Sequence, residues 1–156
     1  MSAKAKLTLT WIAFIVAADQ ATKLCVDRWI PLHHSIPVVD GLFSLTYIRN
    51  TGAAFGIFAG SAAAFRLPFL IIFSLVAIGF VVTMLRRLAD NQTVLITALA
   101  FIIGGAIGNL IDRIAYGEVI DFLDFYVKSY HWPAFNLADS FITVGVLITV
   151  FYLIKA

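Results

Sequence analysis

The residues of this chain best suited to acid–base chemistry are Asp121, Asp124 and Asp139. The first two lie in Gly-Glu-Val-Ile-Asp-Phe-Leu-Asp-Phe (117–125), the third in Phe-Asn-Leu-Ala-Asp-Ser-Phe (135–141). Asp139 sits three residues into an apolar run that continues nearly to the C-terminus. A carboxylate at the centre of a membrane helix costs ~2.5–3.5 kcal/mol on insertion scales, so an acid in such a run points to function. Two carboxylates converging there would share a proton, an arrangement suited to general acid–base chemistry. The residues alone leave two matters open. Asp121 and Asp124 are each followed by Phe in the same linker, and Asp139 could simply cap a helix whose N-terminus favours negative charge.

The chain around these acids reads as a single membrane domain, residues 1–156. It is 62% hydrophobic and only 13% charged, with a mean hydropathy of +0.97, whereas soluble domains are roughly half apolar and about a quarter charged. A net charge of +2, spread over scattered basic residues, excludes a nucleic-acid partner. The single cysteine, Cys25, cannot form an internal disulfide and reads as a small buried hydrophobe. His33 and His34 are adjacent in a loop and His131 stands alone, so neither a metal site nor a cofactor is expected. Lys4, Lys6 and the apolar Leu7–Ala18 could pass for a signal peptide. Asp19-Gln20-Ala21-Thr22-Lys23 belongs with the polar motifs further on, so a permanent first span is expected.

Four apolar runs, 7–26, 66–85, 93–111 and 137–154, approach the ~20 helical residues that cross hydrocarbon. The expected fold is therefore membrane α-helical: four transmembrane helices, with a small extracytoplasmic β-element between helices 1 and 2. Pro68 falls in a first helical turn, where it is tolerated. Asn91-Gln92-Thr93 matches a glycosylation sequon in a tight turn and reads as chance or a helix cap. The β-element covers about residues 35–60. Asp40-Gly41 between apolar pairs is a hairpin signal, and Ser44–Arg49 alternates like a half-buried strand. Gly52, Gly56 and Gly60 follow, with Phe55, Ile57 and Phe58 suited to the membrane interface. Lys4, Lys6, Arg86, Arg87 and Lys155 lie on the side of the termini; Lys23, Arg28, Arg49, Arg66, Arg113 and Lys128 lie opposite. Lys23, Arg49 and Arg113 belong to polar motifs, so the positive-inside rule favours cytoplasmic termini.

On this topology the polar groups gather at one depth. Asp19 and Lys23 end the first span, Asn50 lies in the outer loop, and Asn109, Asp112 and Arg113 end the third span. Asn136 and Asp139 open the fourth. Asp19/Lys23 and Asn109/Arg113 are i,i+4 pairs, and Gly104 and Gly108 form a GxxxG on which another helix can pack. Polar clamps between helices would account for each pair taken singly, and Asp112-Arg113 could be a salt-bridged helix end. Trp11, Trp29, Tyr47, Tyr116, Tyr126, Tyr130 and Trp132 read as belt anchors. A carrier or channel would spread its polar groups across the bilayer, but the inner halves of these runs are almost free of charge. A structural assembly factor would leave two converging acids without purpose.

At these residues the chain resembles the bacterial lipoprotein signal peptidases (signal peptidase II). The likeness is carried in order by Asp19–Lys23, by Asn50-Thr51-Gly52-Ala53-Ala54-Phe55-Gly56 and by Gly104–Arg113. Gly117-Glu118-Val119-Ile120-Asp121-Phe122 and Phe135–Ser140 complete it. It implies a four-span aspartic endopeptidase of the bacterial inner membrane with Asp121 and Asp139 as catalytic pair and Asp124 outside it. The substrate would be a lipid-modified prolipoprotein, cut just before the cysteine that carries diacylglycerol. Asn109, Arg113 and Asn136 would orient the dyad and the substrate backbone, Asp19 and Lys23 would brace the first helix, and the loop holding Asn50 and Gly52 would close over the site. The resemblance further implies contact with membrane lipids, inhibition by cyclic peptides of the globomycin type, a monomer, a site near the periplasmic face and both termini in the cytoplasm.

Overall fold

The computed structural model describes residues 1–52 and 63–155. Its helices are α1 (Ala3–Trp29), α2 (Ala63–Arg87), α3 (Thr93–Tyr116) and α4 (Leu137–Lys155). All four are long and apolar enough to cross a membrane. All four run past the expected limits, α4 only by Lys155. Their ends carry polar residues such as Lys4, Asp27, Arg28, Arg86 and Arg113, which a hydropathy reading drops although the helix continues through them. α1 is capped by Ser2, whose side chain accepts the Ala5 N–H. α3 stops at Gly117, which takes the left-handed conformation at φ 76° while its N–H caps the Arg113 carbonyl.

α3 is the central helix and packs against α1, α2 and α4. Small residues allow two of these approaches. A Cβ at Gly104 or Gly108 would meet Ile15 at 3.1 Å or the Asp19 carboxylate at 2.6 Å, so the GxxxG face holds α1. A Cβ at Gly105 would lie 2.4 Å from the Ala138 carbonyl, and one at Gly145 2.6 Å from that of Ala98, so a second small-residue face holds α4. α2 meets α3 through Val81, Ile78, Val82, Met84 and Leu85 against Leu99 and Ile103.

A four-stranded antiparallel sheet, in the order β1-β2-β3-β4, joins the end of α1 and the end of α3 to the helices that follow. β1 (Ser35–Val39) and β2 (Phe43–Asn50) form the expected hairpin, with Gly41 at φ 77° in its turn. The sheet is larger than the segment between α1 and α2 would supply. The linker before α4 adds β3 (Val119–Val127), paired along β2, and the short β4 (Tyr130–His131). Val26, Ile30, Tyr47, Ile120 and Phe122 form the core between this sheet and α1.

Two smaller expectations are corrected. Cys25 is exposed, because it lies two residues from the buried Lys23 and so points from another side of α1. Tyr47 is buried at 4% exposure in the sheet core rather than standing in an aromatic belt. At Asn91-Gln92-Thr93, read as chance or a helix cap, Gln92 occupies the N-cap position of α3 and its side chain accepts the Ala89 N–H.

Candidate active site

β3 settles the relation between the two linker acids. Successive strand residues point to opposite faces, so Asp121 and Asp124, three apart, diverge. Asp124 turns to His131, 2.9 Å away on β4. Asp121 turns toward the helices, where Asn136 donates to its Oδ1 at 2.8 Å and Asn50 to its Oδ2 at 3.0 Å. β2 and β3 pair so that Ile48 stands opposite Asp121, which brings Asn50 within reach.

Asp139 both caps α4 and faces the site. Its backbone N–H donates to Asn136 Oδ1 at 2.9 Å and its Oδ2 accepts the Asn136 N–H at 3.2 Å, a reciprocal cap. Its Oδ1 accepts from Asn109 Nδ2 at 2.8 Å. The cap suggested by its position is real, yet it leaves the carboxylate directed at the same cavity as Asp121. That cavity, of about 530 Å³, is lined on its polar side by Asn50, Asn109, Arg113, Asp121 and Asp139. Trp132, Pro133, Phe135, Ile142 and Val144 form an apolar flank. Burial, and then the charge of Asp139, push the Asp121 carboxyl up to about 7, against the pull of the Asn50 and Asn136 donors.

Behind the cavity lies a buried charged knot. Lys23 Nζ makes three contacts, with Asp19 Oδ2 at 2.8 Å, Asp112 Oδ2 at 2.9 Å and Asn109 Oδ1 at 2.8 Å. Each acid also holds a backbone N–H of another element. Asp19 Oδ1 accepts that of Ala138 at the start of α4, and Asp112 Oδ2 accepts that of Ile120 beside Asp121. Gln20 spans Asp112 Oδ1 at 2.9 Å and the Gly108 carbonyl at 3.2 Å. One ammonium thus links α1, α3, β3 and α4 through groups almost wholly removed from solvent. Such a knot is strongly destabilised by the loss of any one member.

The sequence-derived site residues therefore divide into layers. Asn50, Asn109, Arg113, Asp121 and Asp139 line the cavity, while Asn136 lies just behind, bonded to Asp121, Asn109 and the Ile120 carbonyl. Asp19 and Lys23 sit one layer further back and do not line it. Gly52 is buried; its N–H donates to Asn50 Oδ1 at 2.9 Å and its carbonyl lies 3.5 Å from an Arg113 nitrogen. The rest of the expected covering loop, 53–60, lies outside the described residues.

Three roles escaped the sequence reading. Asp112, placed there among the polar groups ending the third span, is a full member of the knot through Lys23 and the Ile120 N–H, and its i,i+3 spacing from Asn109 was the available signal. Gln20 is a second bridge from α1. The Trp132–Phe135 stretch forms a wall of the cavity, a role no local spacing announced. Among the described residues no group of three or more His, Cys, Asp or Glu is arranged to hold a metal ion.

Comparison with known proteins agrees with this architecture. The family model described as signal peptidase (SPase) II matches residues 11–155. A lipoprotein signal peptidase of Geobacter sulfurreducens is 59% identical over 128 residues, covering 82% of this chain and 79% of its own. One from Desulforapulum autotrophicum is 48% identical over 156 residues, covering 99% and 96%. Two solved structures, titled as bacterial membrane enzymes determined by the in meso method, superpose with TM-scores of 0.84 and 0.82. They share 31% and 32% identity, each over 95% of this chain and over 87% and 92% of their own. With the family model spanning both acids, α2, α3, α4 and α1 from Trp11 onward, this multi-pass membrane protein belongs to the signal peptidase II family of peptidases.

Proposed function

We propose that Asp121 and Asp139 are the catalytic pair with which this peptidase removes signal peptides from prolipoproteins, cutting just before the cysteine that carries diacylglycerol. The observation that carries this reading is their convergence: two carboxylates from β3 and α4, each steadied by side-chain amides, line one cavity with an apolar flank. One carboxylate, ionised, takes a proton from a water molecule as the water oxygen attacks the scissile carbonyl carbon. The other, protonated, donates to the carbonyl oxygen as it becomes negative. When the tetrahedral intermediate collapses, the C–N bond breaks and the leaving amine receives a proton from the pair. Asn109 and Asn136 hold the two carboxylates in register, and the Arg113 guanidinium offsets their negative charge and binds the substrate backbone.

The surroundings fit a lipid-anchored peptide. Trp132, Phe135, Ile142 and Val144 form the cavity's apolar side, on the expected path of the acyl chains from the bilayer. The sheet side of the protein faces the periplasm from the bacterial inner membrane, with both termini in the cytoplasm: once Lys23, Arg49 and Arg113 are set aside as members of the polar motifs, Lys4, Lys6, Arg86, Arg87 and Lys155 at the other end outnumber Arg28, Arg66 and Lys128. The protein acts as a monomer, the loop that begins at Asn50 and Gly52 closes over bound substrate, and cyclic peptides of the globomycin type compete for the same cavity.

The test is direct. Purified protein in detergent is incubated with a diacylglyceryl-modified prolipoprotein and with its unmodified form, and signal-peptide release is followed. Release from the modified form alone is the expected result, and it should persist after dialysis against a strong chelator. Equal cleavage of both forms, or loss on chelation restored by zinc, would overturn the reading.

A further inference from the structure

The strand that carries Asn50 to Asp121 is interrupted just before it arrives. The β2–β3 register shifts between Leu45 and Ile48. Within the interruption the Tyr47 N–H donates to the His34 carbonyl and the Tyr47 carbonyl accepts the His33 N–H, on the side away from β3. Pairing resumes at Ile48, Arg49 and Asn50, opposite Asp121, Ile120 and Val119, but this short end segment is not continuous with the ladder of the hairpin. Asn50 nevertheless needs accurate placement. Its Oδ1 accepts the Gly52 N–H at 2.9 Å, which leaves its amide nitrogen facing Asp121.

A cluster outside the cavity meets that need. Tyr47 and Arg49, two apart on a strand, share a face. Arg49 Nε donates to the Tyr47 hydroxyl at 2.8 Å and an Arg49 terminal nitrogen to Asp27 Oδ1 at 2.9 Å; the Tyr47 hydroxyl also donates to Asp27. The guanidinium carbon lies 5.5 Å from the Tyr47 ring centroid and 5.3 Å from that of Tyr116. Asp27 is in the last turns of α1 and Tyr116 is the last residue of α3. One planar, always-charged group thus ties β2 to the ends of two helices, through contacts that an ammonium cannot reproduce together. Partly exposed ion pairs contribute little to stability, and this one is 26% and 41% exposed. Its consequence is geometric.

We propose that Arg49, anchored by Asp27 and the two tyrosines, is a positioning residue for the peptidase reaction, acting by holding Asn50 as the donor to Asp121. The proposal rests on the reading of Asp121 as catalytic. It assigns a role to residues that do not line the cavity.

The test is a double-mutant cycle on purified protein cleaving diacylglyceryl-modified prolipoprotein. Arg49→Met should lower kcat by about tenfold with KM changed less than about threefold, and Arg49→Lys should not restore it. In an Asn50→Ala background, Arg49→Met should cost less than about twofold, because the contact through which it acts is already gone. The pH–rate profile of Arg49→Met should move as that of Asn50→Ala does, toward higher pH. Both lose a donor that favours ionised Asp121, while Asp139, Arg113 and Lys23 stay in place. Asp27→Asn, on an exposed side chain, supplies the same cycle if Arg49→Met does not fold. Additive losses, or a lowered Tm with unchanged kcat, would overturn the proposal. Full activity in Asp121→Asn would instead overturn the catalytic reading beneath it.

Discussion

The ammonium of Lys23 lies 2.8 Å from the side-chain oxygen of Asn109, and this contact decides what Asp139 meets. An ammonium can only donate, so the amide oxygen must face Lys23 and the amide nitrogen must face away. That nitrogen donates to Asp139 Oδ1 at 2.8 Å. The same oxygen accepts from Asn136 at 3.1 Å, whose nitrogen also reaches Asp121 at 2.8 Å. A buried cation that touches neither carboxylate of the pair therefore sets the direction of the hydrogen bonds that reach both.

Reversing one of those bonds tests the chain. Asn109→Asp keeps the size and gives Lys23 an oxygen, but presents a second acceptor to Asp139. Turnover near neutral pH is expected to fall roughly 10²-fold. The loss should ease at lower pH, where the introduced carboxyl gains a proton it can donate to Asp139. Asn109→Leu removes the donor without adding charge and should show no such recovery. A pH-independent loss in Asn109→Asp would mean that the amide's direction is not what matters.

Asp121→Asn and Asp139→Asn are each expected to reduce cleavage by at least ~10²-fold, since a neutral amide cannot take part in the proton exchange. Asp124→Asn should keep substantial activity, because its partner is His131 on the other face of β3. All three proteins should insert into membranes as the unmodified one does. An inactive Asp124→Asn beside an active Asp121→Asn would reverse the assignment.

The elevated Asp121 carboxyl has a consequence for stability. Folding raises its pKa from 3.8 to about 7, so the folded state holds that proton more tightly than the unfolded chain does. The contribution is fully present below pH 3.8 and is lost as pH rises through about 7. Tm measured in detergent should therefore decline between pH 4 and pH 8, and Asp121→Asn should flatten that decline. Cleavage should fall over the upper part of the same range as the pair loses its shared proton. A Tm that rises with pH in the unmodified protein and in Asp121→Asn alike would contradict this account.

The four spans could be read from the sequence because continuous apolar length is a local property, and the convergence of polar groups could be read because helix ends alternate sides. β3 was harder. In Val119–Val127 the residues from Val119 to Phe122 are buried on both faces, so the alternation that marks a half-exposed strand is absent. Its partner β2 lies some seventy residues earlier, as the pairing of Ile48 with Asp121 shows, and no local spacing reports such a contact. The same limit hid Asp112: its i,i+3 relation to Asn109 was visible, but its bonds to Lys23 and to the Ile120 N–H cross between elements. Asp139 shows the opposite case, where helix cap and candidate catalytic acid looked like alternatives and the geometry of α4 accommodates both.

Three helical glycines make a graded test of how closely the bundle is built around the site. At Gly105 an added methyl would lie 2.4 Å from the Ala138 carbonyl, a backbone atom that cannot move without moving the start of α4 and Asp139 with it. At Gly108 it would lie 2.6 Å from Asp19 Oδ2, the carboxylate that holds Lys23 and the Ala138 N–H. At Gly79, on α2, nothing lies within 4 Å. Gly105→Ala should therefore be the most destabilising, by about 1–3 kcal/mol as overpacking usually is, with activity lost in parallel. Gly108→Ala should lower turnover more than it lowers Tm, because a side chain can yield but the polar knot behind Asn109 is then disturbed. Gly79→Ala should be neutral or stabilising by up to about 1 kcal/mol, since alanine suits a helix better than glycine. Tm and initial cleavage rates on the three proteins decide the order. If Gly108→Ala lost stability and turnover in equal measure, the knot would be a brace for the bundle rather than a support for the catalytic pair.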